Sequence, residues 1–166
     1  MAQHATFHYK TLDEVKAHVE ALGLDLPFST DLAILGTPVS FGGRSIPNRL
    51  ACHPMEGCDG RGNGGPSDLT LRRYKRFGAG GAGLIWGEAT AVVWEARANP
   101  RQLWLHDETV ADFKTMVDET RAAAQNSIGH DPYFVIQLTH SGRYSRPGKK
   151  PAPIIAHHSD ILDPRH

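Results

Sequence analysis

The chain has 166 residues, with 18 Lys+Arg balanced by 18 Asp+Glu and a formal net charge of zero when its 10 His are neutral. This length fits one ordinary domain or part of a larger one, and 40% hydrophobic with 22% charged residues is a globular composition. Zero net charge excludes a broad electrostatic footprint for nucleic acid, the lack of a long charge-free apolar run excludes a membrane-spanning helix, and two cysteines, Cys52 and Cys58, cannot form a disulfide framework.

Residues 1–10 contain no apolar core of the kind a secretory signal needs, so a reduced, cytoplasmic protein is expected. Thr11 and Glu14 match a capping box, and Leu12, Val15, Val19 and Leu22 follow at helical spacing until Gly23. Ala33-Ile34-Leu35-Gly36 and Val39-Ser40-Phe41-Gly42-Gly43 are strand-like runs split by Pro38, which predicts a small hairpin. A first main strand is expected over 49–53, ending at Pro54, because proline lacks an N–H and suits a strand end.

Gly57, Gly60, Gly62, Gly64 and Gly65 mark a loop. Ser67 is the candidate N-cap of a helix over 67–77, stopped by Gly78, Gly80 and Gly81. Leu84-Ile85-Trp86 begins a second strand that leads into 87–92. Asp107 and Glu108 then suit the N-terminal dipole of a third helix, with Val110, Phe113, Val117 and Ala124 on one face. A third strand follows over 133–138.

From 49 onward the order is strand, helix, strand, helix, strand, which predicts parallel strands with crossover helices on one outer face. The strands are short and continuously apolar, as in sheets buried on both faces. Polar residues follow the strands: Glu56, then Glu88, then His140 and Arg143. In open α/β sheets and barrels that is the end where sites are built. A complete barrel has eight strands and about 250 residues, so the chain reads as the front part of something larger.

Most familiar motifs are absent. No Gly-Lys-Ser/Thr follows the glycine loop, and the run from Gly78 to Gly83 lies after a helix and before a strand, the reverse of a dinucleotide fingerprint. No His-Glu-x-x-His, Cys-x-x-Cys or Gly-x-Ser-x-Gly occurs, so no metal site is assigned, and Cys52 is expected to be buried in its strand.

Three segments carry more information together than apart. They are Asn48-Arg49-Leu50-Ala51-Cys52-His53-Pro54-Met55, then Gly80-Gly81-Ala82-Gly83-Leu84-Ile85, then Gln137-Leu138-Thr139-His140-Ser141-Gly142-Arg143. In this order and spacing they resemble the N-terminal part of the old yellow enzyme family, the flavin-dependent ene-reductases and their relatives. Arg97 and the stretch from Leu105 to Glu108 look familial too.

The resemblance implies an α/β TIM (β/α)8 barrel of which the first three or so β/α units are present. Residues 1–166 would then be the N-terminal portion of one flavin-binding domain, with a helix and hairpin over 1–47, strands and helices over 48–143, and a loop over 144–166. It further implies FMN as cofactor, NAD(P)H as reductant, and hydride transfer to an activated alkene or related small-molecule acceptor. Pro54 and Met55 match positions whose backbone lines the flavin, and Glu56 the residue facing flavin N5 and O4. Ala89 matches a small residue beside the ring, and Gln137 the amide on its pyrimidine edge. Glu56 departs from the better-known relatives, which carry threonine or cysteine there; an ionised carboxylate near the flavin would disfavour the anionic reduced ring, unless it points away or pairs with an arginine. The family's substrate-anchoring His pair, proton-donating Tyr and phosphate loops cannot be placed before His166. Catalytic residues are therefore unassigned, and the alternative is a non-catalytic chain that packs against a complementary segment or a second copy.

Overall fold

The computed structural model describes residues 6–163. The first five positions of the 1–47 segment and the last three of the 144–166 segment lie outside the described residues. The chain forms two compact units, Met1–Leu32 and Ala33–His166.

In the first unit, α1 spans Leu12–Ala21, with Thr11 as N-cap accepting from the Glu14 N–H. The capping box is modified: Glu14 Oε2 accepts from Lys10 N at 2.8 Å, one residue before the cap. The helix stops at Leu22, and Gly23 takes the left-handed conformation (φ 64°) that a side chain disfavours. None of its residues is buried.

In the second unit the hairpin lies later in the chain than the runs over 33–36 and 39–43 suggest. Ala33–Gly36 is a short 3₁₀ turn, and the hairpin pairs β1, Val39–Phe41, with β2, Arg44–Ile46. Gly42 and Gly43, with φ of 57° and 75°, make the two-residue turn whose twist matches that of the strands.

Three parallel strands follow, in the order β3-β4-β5: Ala51–Cys52, Leu84–Ala91 and Tyr133–Thr139. The first is much shorter than 49–53, and Cys52 is half-buried where burial was expected. Asn48 anchors its start. Its Oδ1 accepts from Gly83 N and Leu50 N, and its Nδ2 donates to Gly81 O. Two of the three motif segments therefore meet at the foot of the sheet.

Helix α2, Asp68–Ala79, begins at Ser67, which shares a reciprocal capping box with Thr70. Gly78 lies inside this helix and Gly80 is its C-cap. A Cβ on Gly78 would stand 2.2 Å from Thr120 O, so glycine here permits close helix packing. Helix α3, Val110–Ile128, follows Thr109, which stands at the N-cap position without a side-chain cap bond, while Asp107 and Glu108 lie in the preceding turn. Its buried stripe is Phe113, Met116, Thr120 and Ala124, and Val110 is 53% exposed. The expected face was thus rotated. Tyr74, Ile85, Leu103, Phe113 and Met116 form the core, with Phe77, Phe134 and Ile136 packed on it. Burying each large apolar side chain contributes roughly 1.5–3 kcal/mol.

Glu88 lies within β4 and not after it, because the strand runs on to Ala91. Trp86 pairs Val135 and Ala89 pairs Gln137, so Gly87 and Glu88 oppose the single residue Ile136 in a β-bulge. A Cβ on Gly87 would come within 2.9 Å of Val135 O, which explains glycine at the bulge.

Candidate functional site

Parallel pairing brings the polar ends of all three strands to one end of the sheet. Pro54, Met55 and Glu56 follow β3, Ala89 lies near the end of β4, and Gln137 lies near the end of β5. Ala89 and Gln137 are direct register partners. They share the face of Trp86 and Val135, opposite the face where Ile85 and Phe134 meet the helices. Trp86 Nε1 donates to Gln137 Oε1 at 3.1 Å. An indole N–H only donates, so this contact engages the amide oxygen and leaves Nε2 as the offered group. Gln137 Nε2 has no partner among the described residues.

Glu56 is joined to this pair through Gln102, which is 1% exposed. Gln102 Nε2 donates to Ala89 O at 3.0 Å and to Glu56 Oε1 at 3.4 Å, while its Oε1 accepts from Ala98 N. Partial burial of the Glu56 carboxyl pushes its pKa above the usual carboxylate value, and the charge of Glu88 pushes in the same direction. Glu56 and Met55 are themselves exposed residues, Pro54 and Ala89 are half-buried, and Gln137 is half-buried.

Behind the site, on the helix side, sits Arg73. It donates to Glu88 Oε1 at 2.8 Å, to Asp59 Oδ1 at 2.9 Å and to Met55 O at 3.3 Å. Glu88 is only 2% exposed, and its other oxygen accepts from Gly57 N at 3.1 Å. Asp59 also accepts from Thr70 Oγ1 at 2.8 Å. Tyr74 Oη accepts from Glu88 N at 2.7 Å, satisfying an N–H that the bulge leaves out of the ladder. Burial, reinforced by the Glu88 charge, raises the Tyr74 phenol well above its ordinary value, so it stays protonated. This network fixes the loop carrying Met55 and Glu56 to both α2 and β4.

Arg97 is a loop clamp. Buried at 2% exposure, it donates to the carbonyls of Gly62, Pro100 and Pro147 and lies over the Trp94 and Trp104 rings at 5.6 Å. His140 Nδ1 accepts from Gly142 N, and Arg143 pairs with Asp163, so both hold the loop after β5. Arg73, Asp59 and Gln102 have no place in the sequence reading. The available signal was the Arg72-Arg73 pair on a helix whose opposite face is apolar, which puts one arginine inside.

The donor set suits a flat heteroaromatic ring. Ala89 presents only a methyl group, Gln137 offers a free amide N–H beside it, and the Glu56 backbone N–H makes no hydrogen bond among the described residues.

No family model matches the chain. Among solved structures, morphinone reductase in complex with tetrahydroNAD is 27% identical, with a TM-score of 0.55 over 67% of this chain and 28% of that one. The old yellow enzyme homologue from Zymomonas mobilis is 24% identical, with a TM-score of 0.55 over 66% and 28%. The old yellow enzyme from Trypanosoma cruzi is 22% identical, with a TM-score of 0.56 over 68% and 28%. The chain spans about 28% of the length of these relatives. Its fold is similar to that of old yellow enzymes, and the resemblance carried by its motifs holds in three dimensions.

Proposed function

We propose that this chain supplies the first three strands, with the two helices between them, of an FMN-dependent oxidoreductase barrel of the old yellow enzyme type. The observation that carries the reading is the register pair Ala89–Gln137, with Trp86 engaging the amide oxygen and leaving the amide N–H without a partner among the described residues. When bound, FMN would supply the redox chemistry, accepting hydride from NAD(P)H and giving it to an activated alkene or related acceptor. The similarity to morphinone reductase in complex with tetrahydroNAD supports a nicotinamide reductant.

The chain's own residues bind and orient. Gln137 would pair with the polar edge of the ring, Ala89 would let the ring lie close to β4, and the backbone at Met55 and Glu56 would flank it. Arg73 holds that backbone by its bond to Met55 O. Gln102 holds Glu56 beside Ala89.

FMN titration followed by fluorescence quenching tests this. A flavin phosphate needs backbone N–H donors at a helix N-terminus or a basic group, and in the resembling family these lie on later strands. The 166-residue chain alone is expected to bind FMN weakly or not at all. With the remaining β/α units supplied, binding is expected, and Gln137→Leu weakens it by about 1–3 kcal/mol. Unchanged affinity in Gln137→Leu removes the assigned role.

A second reading, a non-catalytic chain packed against a complementary one, draws on the open sheet. Strands β3 and β5 are each paired on one side only among the described residues, and Trp86 and Leu138 are 42% and 60% exposed. An apolar hollow of about 260 Å3 also lies between the hairpin and Leu84, Trp86, Tyr133 and Val135. Co-purification of a second polypeptide without flavin absorbance would favour this reading.

A further inference from the structure

Helix α2 carries four cations, and only Arg73, which faces inward, serves the network above. Arg73 is neutralised by Glu88 and Asp59, and Lys75 pairs with Glu119 of α3 at 3.2 Å. Arg72 and Arg76 are exposed, and neither guanidinium has a partner among the described residues. They stand four residues apart, one turn or about 6 Å along the helix, where like charges repel. In a chain of zero net charge, this ridge is a local excess of positive charge.

The same two arginines border a groove of about 500 Å3 between α2 and α3, whose apolar lining is Leu71, Ala79 and Ala123. We propose that this groove is a docking surface for an acidic amphipathic helix of a partner protein. Two carboxylates one turn apart would meet Arg72 and Arg76, and the partner's apolar stripe would lie on Leu71, Ala79 and Ala123. The spacing matches because both pairs are set by the same helical rise. Charge complementarity selects a peptide over a nucleic acid. The groove contains no aromatic ring for base stacking, and Asp68 and Glu119 at its rim oppose an unbroken phosphate chain. A peptide can place its carboxylates only where the arginines are.

The test is fluorescence anisotropy on the full 166-residue chain. The probe is a fluorescein-labelled 15-residue helical peptide with glutamates one turn apart beside a leucine stripe. Binding is expected to fall at least tenfold in Arg72→Glu/Arg76→Glu, and at least threefold in the milder Arg72→Gln/Arg76→Gln. The charge-matched Lys149→Glu/Lys150→Glu should stay within twofold of wild type. A peptide with the leucines replaced by serine should bind at least fivefold more weakly. Absence of binding at millimolar peptide, equal loss in the lysine control, or indifference to the leucine stripe would each overturn the proposal. Equally tight binding of a single-stranded oligonucleotide would replace it with a nucleic-acid site.

Discussion

Replacing Arg73 with Met removes the cation that pairs with two carboxylates behind the site. Glu88 is 2% exposed and would keep only the Gly57 N–H, 3.1 Å from its second oxygen. Removing one partner of a buried ion pair costs roughly 3–5 kcal/mol, because the other charge stays desolvated. The Arg73 side chain is 21% exposed, so water can partly replace it. We therefore expect the low end, about 3 kcal/mol. In a chain of this length each kcal/mol lowers Tm by about 2–4 °C, giving a fall of roughly 6–12 °C. Urea unfolding followed by tryptophan fluorescence gives the free energy directly. Glu88→Gln removes the charge instead, and Arg73 keeps Asp59, so it should cost less than Arg73→Met. The double variant should fall short of the sum of the two by about 2 kcal/mol, the coupling of residues in direct contact. Additive effects, or a cost below about 1 kcal/mol for Arg73→Met, would refute the network as the element that fixes the Met55–Glu56 loop.

Three further predictions concern neighbouring residues. Gly78→Ala would ordinarily help a helix, but its Cβ would meet Thr120 O at 2.2 Å; we expect destabilisation of about 1–3 kcal/mol in urea melts, and a gain would contradict the close α2–α3 packing. Tyr74→Phe strands the buried Glu88 N–H and should cost about 1–3 kcal/mol in the same assay. The Glu56 carboxyl is held above its ordinary value of 4.5, so its neutral form suits the fold. The stability this group contributes is full below about pH 4.5 and is lost as pH rises through the folded value. Glu56→Gln should therefore raise Tm above wild type at neutral pH and leave it nearly level at low pH, and a pH-independent difference would count against this environment.

The sheet and its helices were legible because their signals are local. Apolar runs between glycines gave all three parallel strands, and Ser67 marked its helix start correctly. The hairpin was displaced because Arg44-Ser45-Ile46 lacks a strand-like composition, whereas Ala33–Gly36 has one and forms a turn. On α3, Thr120 lies in the buried stripe and hydrogen-bonds Met116 O, a role hydropathy does not register. Gln102 and Asp59 were not legible, since the bonds that tie each to the site run to residues more than ten positions away in the chain.

The bulge shows why spacing alone could not have placed the site. In a regular strand from Leu84 to Ala91, Trp86 and Glu88 would share one face and Ala89 would turn toward the helices. The extra residue at Gly87–Glu88 exchanges those assignments. Glu88 turns to the helix side, where Arg73 and Tyr74 receive it. Ala89 turns to the open side beside Gln137. One local irregularity thus keeps a carboxylate off the face proposed to carry the flavin and puts a methyl group there instead. It also leaves Glu56 as the one carboxylate of the three, with Asp59 and Glu88 tied to Arg73, that has no cation partner among the described residues. The electrostatics of that face therefore rest on the protonation of Glu56, which burial and Glu88 both favour.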